Sequence, residues 1–300
     1  MSEKIKEYTF YPGCSSEKKA SAANMENSMH AMCHMLGIKL NEIDDWNCCS
    51  ASIGYAGGGE LPRLAMTARN FALAQQQQGN KDLVATCAAC WLALRETEER
   101  MEESTQVKAD LATALKAADL KYDGGLKIRH MVEVLIEDIG WEALKAKVKK
   151  PLTGVKIAGY VGCQTNRPFS IAGDNFENPQ YLDRMIETVG ATAVPYDKKV
   201  ACCGGALAFS ELDKVTPLIR DILQSAVDNG ADLIVTPCPV CQLNVEVYQD
   251  KVNKTFGTHF NIPVVYYSQL FVLAWGGSWT EAALNQQVIS AEAVLKKFAS

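Results

Sequence analysis

Leu83-Val84-Ala85-Thr86-Cys87-Ala88-Ala89-Cys90 sets the architecture, because a short apolar strand runs straight into a CxxC that opens a helix. Trp91 to Met101 continues at helical spacing. Thiolates at such a junction face unpaired backbone N–H groups and the positive end of the helix dipole, which lowers their pKa and favours metal ligation. The same construction returns in the second half. Asp232 to Thr236 reads as a strand, and Pro237 leads into Cys238-Pro239-Val240-Cys241 and a helix through Tyr248.

Working outward, each CxxC is preceded by a vicinal pair and, before that, by a Gly-Cys. Thr9-Phe10-Tyr11 reads as a strand ending at Gly13-Cys14, and Ile38 to Ile43 as a strand delivering Cys48-Cys49. Correspondingly, Val155 to Val161 enters Gly162-Cys163, and Thr192 to Tyr196 precedes Cys202-Cys203. Tyr-Pro-Gly-Cys matches Tyr-Val-Gly-Cys, and Leu-Val-Ala-Thr-Cys matches Ile-Val-Thr-Pro-Cys. The repeat absorbs every one of the eleven cysteines except Cys33 and is most economically explained by duplication of one unit.

Helices fill the intervals. One carries Met25, Met29, Met32 and Leu36 to a stop at Gly37, with Ser15 or Ser16 as candidate cap; Leu61 to Gln78 forms the next, with Pro62 in its first turn and Gly79-Asn80 at its end. Gln106 to Lys150 reads as a helical connection ending at Pro151 to Gly154, Pro179 to Val189 as a helix, and Glu211 to Asn229 as another stopped by Gly230. Ile262 to Tyr267 resembles a last buried strand. Trp279 to Phe298 is expected to be a helix with Leu284, Val288, Ala291, Leu295 and Phe298 along one side, docked on its own core or on a partner subunit. The expectation is an α/β fold of two pseudo-symmetric Rossmann-like units with parallel sheets, residues 1–150 and 151–300, each gathering five cysteines at the carboxyl ends of its strands.

The 300 residues, 48% hydrophobic and 22% charged, suffice for two ordinary globular units. A net charge of -5 offers no footprint for nucleic acid or an anionic membrane. Met1 to Tyr8 lacks the apolar core of a secretory signal, and no apolar run approaches the roughly 20 residues of a spanning helix. A cytoplasmic location is expected, where clustered cysteines bind metal or do redox work instead of forming disulfides.

Four thiolates satisfy a structural zinc, leaving one cysteine spare in each unit. An iron-sulfur cluster can use all five, since vicinal cysteines can hold neighbouring irons or bridge them. A thioredoxin-like role for either CxxC leaves the vicinal pairs and Gly-Cys positions unused. Cys33 stands at metal-binding spacing from His30 and His34, but Met29, Met32 and Met35 around it favour a buried structural thiol. Gly57-Gly58-Gly59 lacks the Lys-Ser/Thr of a phosphate-binding loop, and Arg167 can equally steer an anion or sit solvated; His130 and His259 have no evident partners. Neither a Gly-x-Ser-x-Gly nor a dinucleotide fingerprint occurs, so no flavin or nicotinamide is expected on this chain.

On these motifs the chain resembles the two-fold cysteine-rich CCG family, most closely the B-subunits of heterodisulfide reductase, over about residues 8 to 275. Asp45-Trp46-Asn47-Cys48-Cys49 and Cys202-Cys203-Gly204-Gly205 carry the likeness. Iron-sulfur subunits of lactate, glycolate and atypical succinate oxidation are also similar. The resemblance implies two noncubane four-iron clusters facing a shared cavity where a heterodisulfide is split. Cys14, Cys48, Cys49, Cys87 and Cys90 would bind one, and Cys163, Cys202, Cys203, Cys238 and Cys241 the other. It further implies a ferredoxin-like iron-sulfur subunit and a flavin subunit as partners, with a disulfide or a sulfur carrier such as a lipoate-binding protein as substrate. One departure stands out: Ser50 follows the first pair where the motif has glycine, losing glycine's backbone freedom and leaving that site's cluster form open.

Overall fold

The computed structural model describes residues 6–16, 20–51, 58–79 and 81–300. Met1 to Ile5, Gly57 and Asn80, on which some of these expectations fall, lie outside them. The first unit runs β1 (Lys6–Tyr11), α1 (Ala23–Leu36), β2 (Ile38–Glu42), α2 (Glu60–Gln78), β3 (Leu83–Ala85), α3 (Ala88–Glu103), α4 (Thr105–Lys116) and β4 (Ile128–His130). A short α5 (Met131–Glu133) continues as a π-helical turn (Val134–Ile139), and α6 (Trp141–Ala146) leads across. The second unit runs β5 (Lys156–Gly159), α7 (Tyr181–Thr188), β6 (Thr192–Ala193), α8 (Leu212–Asp228), β7 (Leu233–Thr236), α9 (Pro239–Val247), α10 (Gln249–Phe256), β8 (Val264–Tyr266), α11 (Tyr267–Ala274) and α12 (Glu292–Leu295).

The two sheets are all-parallel and share one topology, with orders β2-β1-β3-β4 and β6-β5-β7-β8. Such sheets are covered by helices, so their strands read as buried apolar runs; every residue of β3 and β7 is buried. The shared topology and repeated cysteine order are consistent with internal duplication. In each sheet the two central strands deliver the Gly-Cys and the CxxC at their carboxyl ends, as ligand sites of parallel sheets require.

Local physics explains most boundaries. Gly37 ends α1 at φ 69°, returning its N–H to the carbonyls of Cys33 and His34. Pro239 opens α9, where its missing N–H costs nothing. Along α8, Val215, Ile219, Ile222, Leu223 and Ala226 form one buried stripe.

Several expectations are corrected. Ser15 and Ser16 do not cap α1, which begins at Ala23 with no side-chain cap. The Gln106 to Lys150 segment is not continuously helical, because the buried strand β4 interrupts it after α4. The largest difference is the C-terminal tail. Trp279 to Phe298 is not one helix: it holds turns, a 3-10 turn (Leu284–Gln286), the four-residue α12 and a last 3-10 turn (Lys296–Phe298). Leu284, Ala291 and Leu295 do pack inward, but Val288 is 67% exposed. The apolar helix at this end is instead the eight-residue α11, buried along its whole length.

Helix α11 belongs to the second unit yet packs on α1 of the first. The Ser28 and Ser268 hydroxyls lie 2.7 Å apart, and Trp275 donates through Nε1 to the Leu144 carbonyl at 3.1 Å. Met25, Met29 and Met32 therefore share one core with Tyr267, Phe271 and Trp275.

Candidate metal centres

In the first unit β1 ends at Tyr11-Pro12-Gly13-Cys14. Gly13 has φ 80°, and a Cβ there would stand 2.7 Å from the Cys90 sulfur, so only glycine lets the Gly-Cys turn and the CxxC meet. The Cys14 and Cys48 sulfurs are 3.8 Å apart, and those of Cys49 and Cys90 are 3.4 Å apart. Tyr11 fixes the vicinal pair by donating its hydroxyl to the Asn47 carbonyl at 2.8 Å. From α2, Asn70 both accepts from the Asn47 N–H at 3.0 Å and donates to its carbonyl at 2.9 Å, while Thr67 donates to the Cys49 carbonyl at 3.2 Å.

The second unit repeats this plan. Gly162, at φ 74°, would carry a Cβ 2.9 Å from the Cys241 sulfur. Cys163 and Cys202 sulfurs lie 4.0 Å apart and those of Cys203 and Cys241 3.6 Å apart. Tyr160 donates to the Ala201 carbonyl at 2.7 Å, as Tyr11 does to Asn47. Here Asn244 on α9 donates to the carbonyls of Cys203 at 3.2 Å and Gly205 at 2.9 Å, and its Nδ2 lies 3.6 Å from the Cys203 sulfur.

Each site thus has an outer pair and an inner trio. Cys14 and Cys202 are exposed and Cys48 and Cys163 half-buried, while Cys49, Cys87, Cys90, Cys203, Cys238 and Cys241 are buried. Hydrogen bonding between neighbouring thiols is the leading influence on the titration of Cys14, Cys48, Cys49, Cys87, Cys90, Cys163, Cys202, Cys203 and Cys241. Contact with the Cys163 thiol, helped by the Gly204 N–H, brings Cys202 down to about 6, whereas the proximity of Cys202 and then burial push Cys163 up. Cys87 is lowered by Cys90 and then by the N–H groups of Cys90 and Ala89 at the start of α3. Five thiolates packed this closely would need bound cations to balance their charge. Sulfurs standing in pairs suit a group of several metal atoms better than one tetrahedral zinc.

The two sites adjoin. Ala88, inside the first CxxC, packs in the second unit's core with Cys203, Cys238 and Cys241. Trp91, directly after that CxxC, meets Phe169 of the second unit edge-on at 6.4 Å, and Arg95 covers Phe169 at 5.1 Å. Tyr266, at the end of β8, is held protonated by burial and then by charges that include both Cys238 and Cys87.

Tyr11, Tyr160, Asn244 and Trp91 were not assigned from sequence. The matched Tyr-x-Gly-Cys phrases carried the signal for the tyrosines; nothing local marks Asn244. Cys33 is buried on α1, pushed up to about 12 by burial, and His30 pairs with Glu26 at 2.8 Å, in keeping with a structural role. Arg167 is exposed near Glu177 at 3.6 Å. His130 is buried, accepting the Val132 N–H at 3.2 Å, and His259 is exposed.

A family model described as a cysteine-rich domain, CCG, matches residues 8–95 and 157–246. The chain is 34% identical to the 8-methylmenaquinol:fumarate reductase membrane anchor subunit of Wolinella succinogenes, covering 95% of this chain and 98% of that protein. It is 30% identical to the B-subunit of a ferredoxin:CoB-CoM heterodisulfide reductase from Methanosarcina mazei, over 85% of each, and to a protein of Archaeoglobus profundus described as like the heterodisulfide reductase B-subunit, over 90% of each. A solved structure of a hypothetical protein from Helicobacter pylori superimposes with a TM-score of 0.76 at 15% identity. That match covers 96% of this chain but 53% of the other, so this chain spans about half its length.

Proposed function

Because the chain belongs to the CCG cysteine-rich domain family, we propose that it is the iron-sulfur subunit of a heterodisulfide reductase-like complex, cleaving or forming a disulfide or sulfane-sulfur bond. Cys14, Cys48, Cys49, Cys87 and Cys90 hold one cluster, and Cys163, Cys202, Cys203, Cys238 and Cys241 the other, both of the noncubane four-iron type. When bound, such clusters supply single electrons and Lewis-acidic iron, so that S–S cleavage needs no side-chain acid.

The observation that carries this reading is that Ala88, inside the first CxxC, belongs to the same buried cluster as Cys203, Cys238 and Cys241 of the second site. A two-electron bond cleavage shared by two one-electron centres needs them adjacent. The chain's residues prepare that space. Gly13 and Gly162 admit close sulfur approach, the inner cysteines are buried, and the outer pairs, including exposed Cys14 and Cys202, remain open to substrate. Leu207 and Phe209, 45% and 67% exposed just after Cys202-Cys203, offer an apolar edge for a sulfur carrier or an electron-delivering subunit. The partners proposed are a ferredoxin-like iron-sulfur subunit, a flavin subunit and a lipoate-type sulfur carrier, in the cytoplasm.

A second reading is an electron-transfer subunit of a succinate- or fumarate-type oxidoreductase, favoured by the likeness to the Wolinella succinogenes protein. No helix of the described residues is long and apolar enough to cross a membrane. Replacing Cys203 by Ala separates the readings. For a disulfide reductase, Cys203→Ala abolishes disulfide-dependent reoxidation of the dithionite-reduced protein; an unchanged rate would identify an electron conduit instead.

A further inference from the structure

The two sites share a plan and differ in one N–H donor directed at sulfur. In both, a backbone N–H reaches the first cysteine of the vicinal pair at 3.4 Å, from Ser50 to Cys48 and from Gly204 to Cys202. In both, a tyrosine hydroxyl secures the carbonyl preceding that pair. Among the described residues, only the second site brings a side-chain amide N–H to a cysteine sulfur. Asn244, fully buried, directs Nδ2 at the carbonyls of Cys203 and Gly205 and at the Cys203 sulfur 3.6 Å away.

The two carbonyls fix the amide's orientation, since the opposite flip would aim Oδ1 at both oxygens. Asn244 stands three residues beyond Cys241. The residue three beyond Cys90 is Ala93, equally buried and without a donor. Thr67 supports the Cys49 carbonyl in the first unit, but it comes from α2 and bonds the carbonyl oxygen. The structural half of Asn244's work is therefore covered in both units, and the side-chain N–H directed at sulfur is unmatched among the described residues.

An N–H donated to a ligating sulfur favours the more negatively charged, reduced state of an iron-sulfur centre and so raises its reduction potential. We infer that Asn244 makes the two sites redox-inequivalent, with the second-unit centre at the higher potential, so that the first electron delivered to the chain rests on the Cys163 to Cys241 side. This inference relies on the iron-sulfur reading above. Asn244 acts through Cys203 and is a positioning residue.

The test is a potentiometric titration of the anaerobically purified holoprotein, followed by electron paramagnetic resonance. Wild type should show two separate one-electron waves. Asn244→Leu, of similar volume but without a donor, should lower the upper wave alone by about tenfold in its equilibrium, or about 59 mV for a one-electron couple. A second measurement needs no variant: wild type carrying asparagine labelled with nitrogen-15 in the side-chain amide should show its strongest nitrogen coupling on the higher-potential centre. Coincident waves in wild type, an unmoved upper wave in Asn244→Leu, or no such coupling overturns the inference while leaving two bound clusters intact. Protein without iron would instead overturn the iron-sulfur reading and this inference with it.

Discussion

Ser50 occupies the position where the second unit has Gly204, and the chain bends there in the same way. Its φ is 63° and Gly204's is 89°, so serine accepts a left-handed conformation that costs roughly 1 kcal/mol or more for a residue with a Cβ. The surroundings explain why only one unit could exchange. A Cβ at Gly204 would stand 2.4 Å from a Val215 methyl carbon, a clash beyond any ordinary contact. Ser50→Gly is therefore expected to retain full metal content with equal or higher thermal stability, whereas Gly204→Ser should lose metal from the second site. Metal analysis and melting curves of the two variants read this directly. At this scale the sequence was informative about sulfur and silent about support: cysteine spacing announced the ligands, but Asn244 and the two tyrosines act through contacts between segments distant in the chain.

Elements were legible where periodicity and stop signals agreed. Helix α8 carries a long apolar stripe, and Gly37 terminates α1. Strand β4 was missed because three residues after a polar helix hold no period to read. The tail was misread because Leu284, Ala291 and Leu295 happen to fall at helical spacing, while tertiary hydrogen bonds decide its path. Glu246 on α9 accepts the backbone N–H groups of Val264 on β8 at 3.1 Å and of Val288 at 3.2 Å, pinning the tail in a turn. Burial pushes this carboxyl up to about 7 despite those donors. A folded-state pKa above the unfolded one gives stability that is complete below about 4.5 and is lost as pH rises through about 7, a change on the order of 3 kcal/mol. Between pH 5.5 and 8, wild type should lose melting temperature relative to Glu246→Gln; parallel curves for the two proteins would refute this assignment.

At the scale of the molecule, duplication produced two sheets of one topology, and α11 joined them by burying itself on α1. The doubled cysteine order made this pairing readable in advance. What the order of residues alone did not show was that Ala88 would join the second unit's buried cluster and Trp91 would meet Phe169 across the units. The central claim is that both sets hold iron and sulfide. Iron, zinc and acid-labile sulfide should be measured per chain in anaerobically purified wild type, Cys49→Ser and Cys203→Ser. The account predicts brown protein with matched iron and sulfide sufficient for two clusters, about half of it gone in each variant. Colourless wild type holding stoichiometric zinc and no sulfide would contradict it.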